Sequence, residues 1–494
     1  MKRTLGLAAL GVSLVDCSPS EPRSSLEIVV QAGPSSLDPR FTTDAFGMKI
    51  SRLAHLGLVR LDPTSLKPVP AAASSWSWDG PLSLSLQLRT DVSFASGAPL
   101  EATDVCATLN ALASPSLGSP HKLVVESIAS CEAPSAHEVR LTLKAPRATL
   151  LTDLEVPILR RDQVMLPPDI AGHLDGLGPF IITSFDNQGV SLQARAGGVL
   201  PKPAHDVDIR VVHDENARVV RLLAGRTDVI PNGVTQSMLP SLEQQGAIAV
   251  VRPAANLTYL LLNHEHTFRD RLSRMALSSA IDRDLLIRTL LGGKARVATS
   301  ILPPESWAVP HTEEAKFPGY DPDRARRLLD ATEVPSFTLL TSTDRARVVM
   351  GRAMAQMLRD AGFKVELSSL DLGALLQRLT KGDYSAAMLQ FPELTEPNVL
   401  RYFFHSSAIP GRGGFGVNRS RYENGEVDAW LDDAARTPDE SKRAELYAKV
   451  LTTMAHDVAV VPLFHEDQVA LVSPRAKAFS LSAEGRWLSI ASVP

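Results

Sequence analysis

The chain has 494 residues, 44% of them hydrophobic, which excludes a disordered protein and allows two or three separate cores. Its 51 Lys and Arg are nearly balanced by 55 Asp and Glu, leaving a formal charge of −4. That balance supplies no cationic surface for a phosphate backbone, so nucleic acid is not an expected partner.

In chain order, the first segment is a short cationic start, Met1-Lys-Arg3, followed by an apolar run from Leu5 to Val15. This run has the length of an export signal and is too short to cross a bilayer as a mature helix. Leu14-Val15-Asp16-Cys17 resembles a lipoprotein processing site, with Asp16 standing where a small neutral residue is usual. A signal peptide over 1–17 with Cys17 lipidated is therefore expected. The other two cysteines, Cys106 and Cys131, are then either a disulfide in an oxidising compartment or two buried thiols.

Asp79-Gly80 marks a turn, and the following Ser83-Leu-Ser-Leu-Gln-Leu-Arg89 alternates as a strand with Leu84, Leu86 and Leu88 on one face. Val105, Leu109 and Leu112 then recur at helical spacing. Further on, Tyr259-Leu-Leu-Leu262 reads as an apolar strand ending at Asn263. Asp321-Pro322 is an N-cap with proline at the first helical position, ahead of a stripe of Ala325, Leu328 and Leu329. Ala346, Val349, Ala353 and Met357 predict another helix ending near Gly362, with Phe363-Lys-Val-Glu-Leu367 as the strand after it. Strand, helix and strand in succession point to an open α/β sheet, whose ligands bind at the carboxyl ends of its strands.

Several short motifs occur in a fixed order: Gly57-Leu-Val59, Leu61-Asp62, Ser75-Trp76, Leu88-Arg89, Val92, Phe94, Gly97, Pro99-Leu100, Ala102 and Asp104-Val105. Gly178-Pro-Phe180, Leu223-Ala-Gly-Arg-Thr-Asp228, Ala280-Ile-Asp-Arg283, Tyr320-Asp-Pro-Asp323, Gly382-Asp-Tyr384 and Val460-Val-Pro-Leu463 continue the series. From Leu26 onward the chain resembles the bacterial extracellular solute-binding proteins of the oligopeptide and dipeptide importers. The resemblance implies a two-lobed, hinged α/β fold of the periplasmic-binding-protein type with an extra inserted subdomain. Lobe I would be discontinuous (26–60, 178–252 and 465–494), the smaller inserted domain would span 61–177, and lobe II would span 253–464.

The implied function is capture of a peptide by lobe closure and its delivery to the permease of an ABC importer. The alternatives are a ligand sensor on the same fold, or an importer component for a non-peptide solute such as an opine, a sugar or a metal chelate. The expected location is the periplasm or cell envelope, reached as a monomer whose only membrane contact is a lipid anchor. Neither enzymatic activity nor a cofactor is implied.

In peptide-binding members an aspartate holds the peptide's amino terminus, after an aromatic segment and before an acidic-Pro dipeptide. Here the matching run is Leu389-Gln-Phe-Pro-Glu-Leu-Thr-Glu-Pro397, which makes Glu393 the candidate anchor, with Phe391 and Glu396 beside it. Glutamate is one methylene longer than aspartate, and Pro392 stiffens the loop. A solvated loop acid is the other reading of Glu393.

Thr43 and Asp44, in Phe41-Thr-Thr-Asp44, are candidate contacts to ligand backbone or ordinary turn residues. Asn263 faces the cleft or bonds a neighbouring turn. No carboxylate-binding cation is assigned, although Arg401 and Arg412 lie in suitable loops. Asp38, Asp104, Asp282 and Asp321 read as turn or cap residues. No Gly-x-Ser-x-Gly elbow or P-loop occurs, and Gly411-Arg-Gly-Gly-Phe-Gly416 reads as a flexible loop that opens no helix. His264-Glu-His266 and His465-Glu-Asp467 lack a third ligand at a defined spacing, so no metal is expected.

Overall fold

The structure is a computed structural model and describes residues 24–333, 336–412 and 416–494. The expected signal peptide, Cys17, and residues 413–415 of the glycine-rich run lie outside the described residues.

Leu26–Val30 is buried along its whole length, Glu27 included, and its other four residues are apolar, which suits a strand covered on both faces. It sits at the centre of a seven-stranded sheet, pairing in parallel with Val207–Val211 and Val229–Pro231. Gln468–Val472 joins antiparallel between Val229–Pro231 and the edge strand Ile248–Arg252. Phe180–Asp186 and Gly189–Ala194 complete the other side. One sheet thus gathers strands from the beginning, the middle and the end of the chain.

The six-stranded sheet has the order Ala295–Val297, Val461–Glu466, Leu257–Leu262, Ala386–Phe391, Phe337–Ser342 and Val365–Leu370. Phe337–Ser342 runs parallel to both of its neighbours, and helices fill the connections. Asp321 caps Pro322–Asp330 by accepting from Arg324 N–H, with proline at the helix start. Arg345–Asp360 forms as well, but its buried stripe is Met350, Met354 and Leu358; Val349 is 41% exposed. The next strand begins two residues later than its alternation predicts, at Val365. Phe363 is instead buried in the connection, and its N–H donates to Leu358 O at 2.9 Å. Tertiary burial of the phenyl ring prevails over local periodicity there.

A third, antiparallel sheet lies wholly within the segment between strands Leu26–Val30 and Phe180–Asp186 of the seven-stranded sheet: Ala73–Trp78, Ser83–Leu88, Glu138–Leu143 and Ile128–Ser135. Leu84, Leu86 and Leu88 face its core as the alternation requires, and Gly80 makes the preceding turn with φ +97. Helix Ala102–Ala113 packs Val105, Leu109 and Leu112 into the same core. A disulfide joins Cys106 of this helix to Cys131 of the sheet, with Cα atoms 5.3 Å apart.

The chain crosses between the two large sheets twice, at residues 253–256 and at Asp467. The second crossing follows strand Val461–Glu466 whole, so the expected lobe change between 464 and 465 falls inside a strand. Asn256 ties the crossings together: its amide donates to Glu466 O at 2.9 Å and accepts from Glu466 N–H at 2.8 Å. Glu466 carries a further node, since its carboxylate accepts from Thr258 at 2.7 Å and from Gln390 at 3.0 Å.

Candidate functional site

Asp44 caps helix Ala45–Ala54 by accepting from Gly47 N–H at 2.7 Å, and it also accepts from Ser35. Ile50 and Leu53 of this helix enter the core, which leaves Lys49 and Arg52, one turn apart, on another face. Residues 480–489 and Glu155 meet that face. Arg486 pairs with Glu155 and approaches Glu484 at 3.0 Å, while Arg52 lies 3.7 Å from Glu155.

Burial alone would raise the Glu155 pKa, but the Arg486 and Arg52 charges outweigh it and hold the carboxyl below its ordinary range. Glu484 moves the other way: burial raises it, and Arg486 offsets only part of that rise.

Glu393 approaches this cluster from the opposite sheet, on the loop that follows strand Ala386–Phe391. The loop is pinned by Leu394 N–H donating to Ala255 O at 2.7 Å, beside the first crossing. Glu393 is half-buried and makes no hydrogen bond or ion pair with any described residue. Its charge is nevertheless felt by Lys49, Arg52 and Arg486. Burial lowers the Lys49 pKa, and Glu393 is the largest charge opposing that drop.

The remaining candidates are held by the fold. Phe391 is 4% exposed, stacks on Tyr259 with ring centroids 4.4 Å apart and meets Phe403 edge-on. Its ring is a wall of the second core and sets the end of the strand from which Glu393 emerges. Glu396 is engaged by Arg443, whose guanidinium lies over the rings of Trp307 and Tyr447. Burial raises the Glu396 pKa against the Arg443 charge.

Asn263 is fully buried; its amide donates to Gly382 O and Tyr384 O and its oxygen accepts from Glu265 N–H, so it bonds a neighbouring turn. Thr43 is exposed, and Asp44 is spent on the cap. Arg401 is bonded to Asp432 at 2.7 Å, and Arg412 is paired with Glu423. His264 donates to Ala459 O and His465 to Asn256 O, which commits one nitrogen of each ring to backbone. Among the described residues no group of three metal-ligating side chains occurs, and no helix is long and apolar enough to cross a membrane.

Sequence reasoning missed Lys49, Arg52, Glu155 and Arg486. The spacing of Lys49 and Arg52 along one helix was the only local signal. Their partners come from segments far away in the chain, and only tertiary structure brings them together.

Two cavities adjoin the cluster and a third lies at the first crossing. One of about 300 Å³ lies along Lys49, Arg52, Arg486 and Trp487. Another of about 190 Å³ is lined by Thr42, Arg52, His121 and Asp153. A more apolar one of about 210 Å³ sits at the first crossing, between Trp307, Leu394 and Ala255. Two α/β lobes joined by two crossings, with an unpaired carboxylate and concave space between them, define a solute-binding protein of the hinged, two-lobed type.

The family described as "Bacterial extracellular solute-binding proteins, family 5 Middle" matches residues 67–410, and the chain belongs to that family. It is 26% identical over 495 residues to the probable D,D-dipeptide-binding periplasmic protein DdpA of Escherichia coli K12, covering 93% of this chain and 92% of that one. To the glutathione-binding protein GsiB of Escherichia coli O1:K1 it is 26% identical over 514 residues, covering 96% and 95%. The fold matches the crystal structure of the ABC transporter substrate-binding protein CtaP of Listeria monocytogenes with a TM-score of 0.84, at 22% identity over 94% of this chain and 98% of that one.

Proposed function

We propose that this protein captures peptides with a free amino terminus outside the cytoplasm and hands them to an ABC importer, with Glu393 receiving the ammonium group. The observation that carries this reading is the half-buried Glu393 carboxylate, left without a partner on a pinned loop between two lobes. A desolvated carboxylate is costly unless it is paired, and an incoming ammonium pairs it. Family membership supports the transport role, and two relatives matching over nine-tenths of the chain are named for a dipeptide and a tripeptide thiol.

In this reading lobe I comprises 26–60, 178–252 and 467–494, lobe II comprises 253–466, which keeps strand Val461–Glu466 whole, and 61–177 is an insertion that widens the cleft. Phe391 and Glu396 fix the Glu393 loop, Asp44 fixes the Lys49 helix, and Asn263 fixes a turn of lobe II. The test is thermal unfolding of the protein starting after Cys17, against dipeptides, tripeptides and longer peptides. Ligand at about a hundred times its dissociation constant adds about 2.7 kcal/mol, a clear rise in Tm. Absence of a rise with every peptide would remove the peptide reading.

Residues 1–17 are proposed as the export signal and Cys17 as the lipid-bearing residue, supported by the cationic start and the apolar run before it. Cells expressing the full chain should incorporate labelled fatty acid into it, and Cys17→Ser should abolish labelling. Equal labelling of the two would refute the anchor.

A further inference from the structure

The insertion is tied to lobe I by buried guanidinium groups. Arg195 donates to Gly178 O at 2.9 Å in lobe I, and to Phe94 O at 3.0 Å and Ser93 O at 2.8 Å in the insertion. Arg40 donates to Val164 O at 3.1 Å and Leu166 O at 2.7 Å. The junction of the insertion with lobe II is of a weaker kind. Ala148 N–H donates to Ala435 O at 3.0 Å, and Lys67 pairs with Glu440 at 2.7 Å where both side chains are about half exposed.

Two buried carboxylates lie at this junction. Asp153 accepts from Arg147 Nε at 2.6 Å and from Thr149 at 2.9 Å. Its charge acts on Glu396 of lobe II, which is engaged by Arg443 of helix Glu440–Asp457. Arg52, His121 and Glu155 line the cavity of about 190 Å³ together with Asp153. Glu396 also accepts from Asn398 N–H at 3.3 Å and acts on Tyr447. Burial raises the pKa of both carboxyls; Arg147 opposes the rise at Asp153, Arg443 opposes it at Glu396, and the Asp153 charge adds to it there.

We propose that lobe closure is proton-linked: joining lobe II to the insertion buries Asp153 and Glu396 together, and the closed form takes up protons that the open form releases. The proposal rests on the lobe-closure part of the reading above and not on the identity of the ligand. Opening about the two crossings parts lobe II from the insertion and returns both carboxyls to water, where such groups ionise near pH 4. In the closed form they ionise at higher pH. Closure is therefore favoured as pH falls from those raised values toward 4, and is favoured least above them. Mild acidity shifts the lobes toward capture.

The test is a spin-label distance measurement on the ligand-free protein starting after Cys17. Nitroxides are placed on Ala145→Cys and Arg436→Cys, exposed positions that flank the Ala148–Ala435 contact. Between pH 7.5 and pH 5 the ratio of closed to open protein should rise at least threefold. Arg147→Gln, which removes the opposing cation, should move that rise to higher pH. Asp153→Asn combined with Glu396→Gln should hold one ratio across the range. A wild-type ratio that ignores pH, or a full response in the double variant, would overturn the proposal. The same measurement is repeated with dialanine and trialanine. A pH response that neither peptide alters would uphold the proton link and count against the peptide reading alone.

Discussion

His264 and His465 show what burial does to a single titratable side chain in this molecule. Burial, with the Arg274 charge adding to it, pushes His264 down to about 3, although Ala459 O accepts from its ring and Asp457 lies nearby. His465 is pushed down to about 4, again by burial, next to Arg296 and Glu305. The fold keeps both rings neutral, so their contribution to stability is full above the ordinary histidine pKa of about 6.5 and is lost as pH falls below it.

Between pH 7 and pH 5 each histidine should cost about 2 kcal/mol of unfolding free energy. Glu396 and Glu484, whose pKa values are raised, act in the opposite direction. The comparison must therefore be made against a variant. Over that window wild type should lose about 2 kcal/mol more than His264→Asn in urea denaturation; equal losses would show that the ring is not held neutral. Neither histidine was legible as a buried switch in the sequence, where each stood out only as part of an apparent metal-binding tripeptide. Exposure to solvent, not spacing, decides the role.

At the scale of elements, strong local signals translated directly into structure. Asp321-Pro322 started a helix, and Ser83 to Leu88 alternated in a half-buried strand, because cap chemistry and period are local properties. The helix at Arg345–Asp360 was found but its buried face was shifted, since the apolar residues Val349 and Met350 are adjacent and only the neighbouring strands choose between them.

Helix Ala102–Ala113 and strand Ile128–Ser135 are held by the disulfide across a separation of 25 residues. Closing a loop of that size removes chain entropy worth about 3.5 kcal/mol from the unfolded state in the loop-closure account. Cys106→Ala/Cys131→Ala should lower stability by about 3 kcal/mol, read from denaturant midpoints, while peptide affinity stays within about twofold. Unchanged stability would show that the bridge adds nothing to the packing of Leu109 and Leu141.

For the whole molecule, the order of the motifs was enough to indicate two lobes, because the family pattern spans the chain. The site was only half legible. Glu393 could be placed from its flanking residues, whereas Lys49, Arg52, Glu155 and Arg486 converge from segments with no mutual sequence signal. Asn256 and Glu466 hold the two crossings side by side, and Glu466 lies 3.6 Å from Arg347 on lobe II. The proposed closure about those crossings is one that would bring Glu393 toward the helix that bears Lys49.

The decisive measurement is therefore calorimetric titration of one peptide and its N-acetyl form into the wild type and Glu393→Gln. The account predicts that acetylation weakens binding to the wild type by at least tenfold, about 1.4 kcal/mol. In Glu393→Gln the free and acetylated peptides should bind with equal, weak affinity. Retention of the full preference for the free amine in Glu393→Gln, or indifference to acetylation in the wild type, would contradict Glu393 as the ammonium anchor.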